Sequence, residues 1–300
     1  MEQAAAPATV PAPARLTFPA LVRALRPEEW VKNSFVYAAV LFSGQFHFHT
    51  ALRSTGVFAA FCAVASSGYL VNDIRDLEVD RRHPVKRLRA IASGVLPVST
   101  ARMAAAGLLL IGLALGLSVS LAVCGLVAAY GATTLAYSFL LKRLVIIDVM
   151  TIAGCFLLRV VTGAVAIHVV ASSWLLVCTG MVSMFLGFTK RRQEAVLERT
   201  AEFGARPVLE HYTLPFLDQM VSMVTAGTVL SYTIYATQSP LAGDKMLWTV
   251  PMVIYGVFRY LYLIYHREEA ASTADLVTRD PGIIGAALAW AVAAALVVYL

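Results

Sequence analysis

The stretch "YLVNDIRDLEVDRRHPVKRLRAIASG", residues 69–94, concentrates acidic and basic side chains in a chain that is 59% hydrophobic and only 14% charged. Asp73, Asp76 and Asp80 are spaced i, i+3 and i+7, so a continuous helix would place them on one arc of about 60°. Like charges on one face repel each other unless a cation lies between them. Carboxylate oxygens suit Mg²⁺, which keeps water and phosphate oxygens among its ligands. The spacing therefore predicts a Mg²⁺-diphosphate site formed by the three aspartates and the adjacent Asn72.

Basic side chains follow the aspartates within the same stretch. We expect Arg82, Lys86 and Arg89 to hold the phosphates of an anionic ligand, whereas Arg75 and Arg81 orient the loop. A charge run at a helix end is more often a solvated loop that sets membrane orientation. Orientation needs only the cations, however, so three acids on one arc favour a binding site.

Continuous apolar runs occupy most of the chain on both sides of this stretch. The mean hydropathy is +0.73, and each run is near the roughly 20 residues that a helix needs to cross a bilayer. The runs lie at residues 30–48, 53–72, 98–119, 121–141, 145–168, 173–189, 213–238, 247–266 and 282–300. They do not alternate as the strands of a membrane barrel do. The sequence therefore predicts an all-α polytopic membrane protein with about nine transmembrane helices.

The Lys and Arg residues fall in alternate connections between these runs. The intervening connections contain little that is basic beyond Arg53 and Lys245. By the positive-inside rule, the basic connections and the amino terminus face the cytoplasm, and the carboxyl terminus lies outside. This predicts a multi-pass protein of the cell inner (plasma) membrane, with the 69–94 stretch at a cytoplasmic mouth.

Composition also bounds the domain organisation and the partners. Residues 1–20, rich in Ala and Pro, are predicted to be a disordered tail before a single transmembrane domain at residues 21–300. The four cysteines stand singly, without metal-ligand spacing. The net charge of +6 is spread over loops and forms no basic motif with interleaved aromatic residues. We therefore expect no nucleic acid as a partner.

The aspartate motif resembles the first Asp-rich motif of the UbiA superfamily of intramembrane prenyltransferases. It reads Asn72-Asp73-x-x-Asp76-x-x-x-Asp80, followed by His83-Pro84-x-Lys86-x-x-Arg89 and Ile91-Ala92-Ser93-Gly94. The resemblance spans nearly the whole chain. It implies nine helices around a central cavity, with Mg²⁺ as the cofactor and a diphosphate held at the cytoplasmic mouth.

The later loop departs from the aromatic prenyltransferases, which carry a second Asp-rich motif there. It reads "GFTKRRQEAVLERT", residues 187–200, with cations in place of the carboxylate pair. Together with Arg26-Pro27-x-x-Trp30-x-Lys32-Asn33, this resembles the branch of polyprenyl-phosphate phosphoribosyltransferases. That branch implies phosphoribosyl pyrophosphate as the donor and a polyprenyl phosphate in the bilayer as the acceptor.

Charged residues of the later loop and the first helix extend the predicted site. We expect Lys190 and Arg191 to hold a second phosphate, and Glu194 to receive a ribose hydroxyl or to pair with a nearby cation. Lys32 and Asn33 are candidates for substrate binding, although a lysine at a helix start also serves as a snorkelling anchor.

Two candidates lie within the predicted helices. Arg159 is well inside the fifth helix, so it should face the cavity or a partner such as Asp148 or another polar group, and it is a candidate for the lipid phosphate. Tyr137, near the end of the fourth helix, could donate a hydrogen bond to phosphate or act as an interfacial anchor.

Three functions stay open at this point. Phosphoribosyl transfer to a polyprenyl phosphate is favoured by the resemblance. Transfer of a prenyl group to an aromatic or quinone precursor would need the second acidic motif that the chain lacks. A non-catalytic lipid-phosphate transporter explains the cations but gives no reason for three acids on one arc. The sequence leaves open the isoprenoid length and whether the protein is a homo-oligomer.

Overall fold

The computed structural model describes residues 18–83, 85–200, 208–238, 243–266 and 279–299, without the side chains of residues 18, 198–200 and 210. The described residues form helices and no strands, which confirms the predicted all-α class. The α-helices are α1 (Phe18–Leu25), α2 (Ala38–Ser43), α3 (Phe48–Arg75), α4 (Leu77–Arg82), α5 (Val98–Val119), α6 (Leu121–Phe139), α7 (Ile147–Ala166), α8 (Ser173–Thr200), α9 (Leu214–Thr237), α10 (Val250–His266) and α11 (Pro281–Tyr299). Of the predicted tail, residues 1–17 lie outside the described residues, and the last three begin α1.

The first predicted span, residues 30–48, is not one continuous α-helix. Pro27–Tyr37 forms a 3-10 helix, and α2 continues from it until Gly44 ends α2 with a φ of 67°. A 3-10 helix of eleven residues is unusually long, because its hydrogen bonds have poorer geometry than those of an α-helix. The side chains around Asn33 and Val36 are buried against α7 and α3, so tertiary packing stabilises the segment.

Seven helices within the described part of the chain are long and apolar enough to cross a membrane. They comprise α3, α5, α6, α7, most of α8, α10 with the 3-10 turn before it, and α11. The helix α9 has 24 residues but is not among them. It carries six Ser and Thr residues, several of which donate hydrogen bonds to backbone carbonyls one turn earlier. The count of nine spans therefore stays a prediction, whereas a helical, multi-pass architecture is confirmed.

The helices pack in a ring that follows their order in the chain. Contacts run from α3 to α5, α6, α7, α8, α9, α10 and α11, and α11 contacts α2. The Tyr299 hydroxyl donates a hydrogen bond to the carbonyl of Val40 and so joins the last helix to the first segment. Phe42 packs on Trp290 at the same junction.

A central cavity of about 900 Å³ opens between the 3-10 segment, α2, α8, α9, α10 and α11. Its walls are almost entirely apolar. They include Phe35, Phe42, Val182, Tyr235 and Trp290. The polar side chains of the predicted site lie at one end of the bundle, where α3, α6, α8 and α10 end and α5, α7, α9 and α11 begin. We call this end the charged end.

Candidate functional site

Two aspartates of the predicted motif meet at the charged end and share one arginine. Arg89 donates from Nη1 to Asp80 Oδ2 at 2.6 Å and to Asp73 Oδ1 at 3.2 Å. Arg26 donates to the same Oδ1 of Asp73 at 2.6 Å. Asp73 and Asp80 are only 4% and 3% exposed. Two buried carboxylates thus converge on one guanidinium nitrogen.

The third aspartate has a different cation. Lys142, in the connection between α6 and α7, donates from Nζ to both carboxylate oxygens of Asp76 at 2.9 Å. The same Nζ lies 3.3 Å from the amide oxygen of Asn72. Asp76 is the residue at which α3 ends, so the predicted continuous helix is interrupted there before α4 begins. The motif is thus divided into two pairs, Asp73 with Asp80 on Arg89 and Asp76 with Asn72 on Lys142, and a shared Mg²⁺-diphosphate site stays a prediction.

The loop after α4 carries the predicted phosphate-binding cations. His83 accepts hydrogen bonds at Nδ1 from the backbone N–H groups of Val85 and Lys86, both at 3.2 Å. Burial and the neighbouring Lys86 lower the pKa of His83 from its ordinary 6.5, which favours the neutral ring that these bonds require. Lys86 is half-buried, whereas Arg82 at the end of α4 is exposed. Pro84 lies outside the described residues.

The basic residues of α8 take two different positions. Lys190 is exposed, and Arg191 is buried with only 1% of its surface accessible. Arg191 donates to Asp148 Oδ2 at 2.6 Å, to the hydroxyl of Tyr137 at 2.8 Å and to Glu194. Of the two predicted roles of Glu194, the structure therefore contains the pairing with a cation.

Glu29, which the sequence did not single out, lies among the cations of the site. Glu29 accepts a hydrogen bond from Lys32. Burial alone would raise the pKa of Glu29, but the nearby Lys32, Lys190 and Arg26 together hold that pKa below its ordinary 4.5. Arg26, which binds Asp73, also helps to lower the pKa of Glu29, so its charge acts on both acidic groups.

Arg159 lies deeper in the bundle, and within the part of the chain that the structure describes its hydrogen bonds go to no carboxylate. It donates to Asn33 Oδ1 at 2.8 Å, to the Cys155 carbonyl at 2.8 Å and to the Tyr130 hydroxyl at 2.9 Å. Of the partners expected for Arg159, the structure contains other polar groups, Asn33 and Tyr130, whereas Asp148 accepts from Arg191 and from Tyr212. The hydrogen bond between Arg159 and Asn33 thus joins the 3-10 segment to α7. A role of Arg159 in holding lipid phosphate stays a prediction.

Sequence reasoning missed several members of the site. In the sequence, Arg26 is only part of a resemblance, and Lys142 is only one of the cations that indicate membrane orientation. In the structure, Arg26 neutralises Asp73 and Lys142 neutralises Asp76. Asp148 and Tyr212 fix Arg191 from two other segments. These pairings join residues that are 43 to 70 positions apart, so no local spacing could have revealed them.

The donor set at the aspartates fits Mg²⁺ that shares a phosphate ligand. Within the residues that the structure describes, no three His, Cys, Asp or Glu side chains form a complete cage for a metal ion. Asp73 and Asp80 do converge on a single nitrogen of Arg89, which marks a point that a small cation could take between them. Mg²⁺ is usually bound by one or two carboxylates together with substrate phosphates and water.

Comparison with known proteins supports the fold and the family. The chain matches the UbiA prenyltransferase family over residues 33–279. It is 34% identical over 292 residues to the decaprenyl-phosphate phosphoribosyltransferase of Corynebacterium glutamicum, covering 93% of this chain and 87% of that protein. The protein of that name from Mycobacterium tuberculosis is 31% identical over 277 residues, covering 90% of this chain and 91% of that protein.

Solved structures agree in fold at low sequence identity. A UbiA homologue from Archaeoglobus fulgidus bound to GPP and Mg²⁺ has a TM-score of 0.71 at 15% identity, covering 94% of this chain and all of that one. A UbiA homologue from Aeropyrum pernix has a TM-score of 0.66 at 16% identity, covering 90% of this chain and 97% of that one. The family model and the curated relatives together show that the chain belongs to the UbiA prenyltransferase family.

Proposed function

We propose that this protein transfers a 5-phosphoribosyl group from phosphoribosyl pyrophosphate to a polyprenyl phosphate of the decaprenyl type, with Mg²⁺ as cofactor. The curated relatives that cover most of the chain carry the name of this activity. We further propose that the charged end faces the cytoplasm and that the carboxyl terminus lies outside the inner membrane, in line with the distribution of cations.

The observation that carries the proposal is the presence of two cation groups side by side. One group, Arg26, Arg89 and Lys142, neutralises the three aspartates. The other group consists of Lys32 and Lys190 beside Glu29. A prenyl diphosphate carries one anionic group, whereas phosphoribosyl pyrophosphate carries a diphosphate at one end and a phosphate at the other. Two adjacent groups of cations match the second ligand better.

The proposed reaction is a displacement at C1 of the donor sugar. An oxygen of the lipid phosphate forms a new bond to C1, and the bond from C1 to pyrophosphate breaks with its electron pair leaving on pyrophosphate. The nucleophile is already ionised at neutral pH, so no side chain need act as a strong general base. Mg²⁺ held by Asp73 and Asp80 would supply charge neutralisation for the leaving pyrophosphate.

The side chains of the charged end have distinct parts in this proposal. Arg89 and Lys86 hold pyrophosphate oxygens, and Lys190 holds the 5-phosphate. Asp76 and Asn72 remain with Lys142 and keep that cation next to the donor. Lys142 is oriented by Asp76 before any ligand binds, so this cation needs little reorganisation as charge develops.

The central cavity gives the acceptor a place for its hydrocarbon chain. About 900 Å³ of mostly apolar space is at the upper end of the size of small-molecule pockets. The 3-10 segment connects the two regions, because Glu29 and Lys32 lie at the charged end while Phe35 lines the cavity. A lipid phosphate at the charged end can therefore extend its chain into the cavity.

A transfer assay tests the proposal directly. Purified protein is incubated with Mg²⁺, labelled phosphoribosyl pyrophosphate and polyprenyl phosphate, and label is then measured in the lipid phase. We expect transfer that requires all three components. Activity on a prenyl diphosphate with an aromatic acid, without phosphoribosyl transfer to acceptors of several lengths, would support the aromatic prenyltransferase instead. Specific lipid-phosphate flux into vesicles without any transfer would support the transporter.

A matched pair of variants locates the chemistry. Asp73→Asn removes a charge that two arginines contact, and we expect it to abolish Mg²⁺-dependent turnover in a folded protein. Glu78→Gln removes an acid from the same stretch that is exposed and pairs with the exposed Arg81. We expect that variant to keep near-normal activity. Full activity of the Asp73→Asn protein would exclude a metal-binding role for Asp73.

A further inference from the structure

A second cavity, of about 500 Å³, lies between α3, α5 and α6 and shares no lining residue with the central cavity. We call it the α5–α6 groove. Small residues make room for it, with Gly68 on α3, Ala105 and Ala106 on α5, and Gly131 on α6. Ala106 is exposed at its edge, and Leu135 is 37% exposed. The groove is thus accessible from the outer surface of the bundle, where a membrane protein meets lipid.

Arg75 lies at the charged end of this groove and is incompletely paired. Its Nη2 donates to the Phe139 carbonyl at 3.1 Å, and its guanidinium lies 4.4 Å from the centre of the Phe139 ring. Its Nη1 is buried and has no hydrogen-bond partner among the described residues. A buried donor of a charged group without a partner is costly and rare in native structures. The geometry therefore calls for an acceptor at this position.

A second arginine and the absence of acids define the chemistry of that acceptor. Arg102, in the second turn of α5, also lines the groove at its charged end and is exposed. None of the described residues that line the groove is acidic. Behind the two arginines the walls are apolar, with Val64, Leu109 and Leu135 among them. The groove therefore combines an anion-binding end with an apolar channel that runs toward the membrane centre.

We infer that the α5–α6 groove binds an anionic phospholipid from the leaflet next to the charged end. The phosphodiester pairs with the guanidinium groups of Arg75 and Arg102, which both line the groove. One acyl chain lies along Gly68, Ala106 and Gly131. Basic residues next to the membrane attract anionic headgroups, and basic pockets between transmembrane helices bind them specifically. A soluble phosphate would satisfy the arginines but would not fill the apolar channel behind them.

The position of this lipid links it to the motif. Arg75 stands between Asp73 and Asp76 at the end of α3, and its partner Phe139 ends α6 three residues before Lys142. Lys142 is the cation that binds Asp76. A headgroup on Arg75 therefore stabilises the junction of α3 with α6, which positions Lys142 against the aspartates. The binding site itself does not depend on the proposed reaction.

Lipid retention in native mass spectrometry tests the inference. Purified full-length protein is delipidated, incubated with phosphatidylglycerol or with phosphatidylcholine, and examined for bound lipid. We expect one phosphatidylglycerol to be retained in preference to phosphatidylcholine. Arg75→Gln and Arg102→Gln should each weaken that binding about fivefold, the fold-change that corresponds to about 1 kcal/mol for each basic residue.

Two further variants separate this site from general surface charge. Arg81→Gln removes an exposed arginine of the same end that contacts Glu78, and we expect it to leave retention unchanged. Ala106→Trp fills the groove from its exposed edge without removing any charge, and it should reduce retention as strongly as Arg102→Gln. Because both positions are exposed, these variants should fold normally, which thermal unfolding checks.

Several outcomes would overturn the inference. Equal retention of the two phospholipids would show that charge does not select the ligand. Equal losses in the Arg81→Gln and Arg102→Gln proteins would mean that only net charge matters. If inorganic phosphate displaces the lipid and protects the protein against thermal unfolding to the same extent, the ligand of the groove is a soluble anion and not a phospholipid.

Discussion

The buried pair of Arg191 and Asp148 stabilises the contact of α8 with α7. Both side chains are at most 1% exposed, and the arginine fork has three protein partners. Removing one partner of a buried pair leaves the other charge uncompensated and typically costs about 3–5 kcal/mol. We therefore expect Arg191→Met to lower the free energy of unfolding by about that amount, measured by denaturation in detergent.

Arg192 provides the control for this prediction. It pairs with Asp218, which is 43% exposed, and it lies over the ring of Tyr265. Exposed ion pairs contribute about 0–1 kcal/mol, so Arg192→Met should have a clearly smaller effect. Equal destabilisation by the two variants would contradict a special role of the Arg191 network.

His83 makes the loop of predicted phosphate-binding cations sensitive to acid. Its pKa in the folded protein lies below the ordinary 6.5, chiefly because of burial and then because of Lys86. The stabilisation that neutral His83 provides is therefore complete above about pH 6.5. It is lost as the pH falls through the pKa of His83 in the folded protein. Protonation of Nδ1 removes the acceptor for the N–H groups of Val85 and Lys86.

Hydrogen exchange measures this effect. After correction for intrinsic rates, we expect the amides of residues 85 and 86 to exchange faster at acidic pH than at neutral pH. In a His83→Gln protein the side-chain oxygen can accept but cannot titrate, so the pH dependence should disappear. A pH dependence that persists in that variant would assign the effect to another group.

At the scale of helices, the approach of the 3-10 segment to α7 depends on one glycine. A Cβ added at Gly163 would lie 2.0 Å from the carbonyl oxygen of Val36, which is backbone and cannot rotate away. Overpacking of this kind typically costs about 1–3 kcal/mol. We expect Gly163→Ala to destabilise the protein by at least that amount, measured as a shift of its thermal unfolding.

Gly154 is the matched control on the same helix. A Cβ there would meet nothing within 4 Å, and alanine has a helix propensity about 1 kcal/mol better than glycine. Gly154→Ala should therefore be neutral or stabilising. Equal destabilisation by both substitutions would mean that the clash with Val36 is not what makes Gly163 necessary.

The helical elements could be predicted well from hydropathy, and their interruptions could not. Eight of the nine apolar runs contain one long helix, because a bilayer-length run must satisfy its backbone internally. The first run failed as a single helix because Gly163 allows Val36 to approach α7, a contact between distant segments. The end of α3 just before Asp76 could not be predicted either, because it accompanies two pairings with other segments. Lys142 binds Asp76, and Arg89 binds Asp80.

For the molecule as a whole, the central cavity predicts a dependence on the acceptor chain. Val182 on α8 lines that cavity. Val182→Trp would fill part of it and exclude segments of the hydrocarbon chain. Each excluded CH₂ group costs about 0.8 kcal/mol, so two of them lower affinity more than about tenfold. We expect kcat/KM for long polyprenyl phosphates to fall accordingly, with a smaller change for short acceptors.

The same helix offers a control position. Val177 is 41% exposed and does not line the cavity, so Val177→Trp adds the same bulk to the outer face of α8. Near-normal kinetics are expected for it. An equal loss for long and short acceptors in the Val182→Trp protein would place the hydrocarbon chain elsewhere.

The helix α8 also sets a length scale within the molecule. Val182 lines the cavity and Lys190 lies at the charged end, eight residues further along one unbroken helix, which spans about 12 Å. A rigid rod of fixed length thus separates the place proposed for the phosphate from the place proposed for the chain. The proposed arrangement therefore sets a minimum useful length for the acceptor chain. An acceptor whose chain is shorter than this distance would present its phosphate without gaining contact with the cavity. A chain that extends beyond the cavity would gain no further contact.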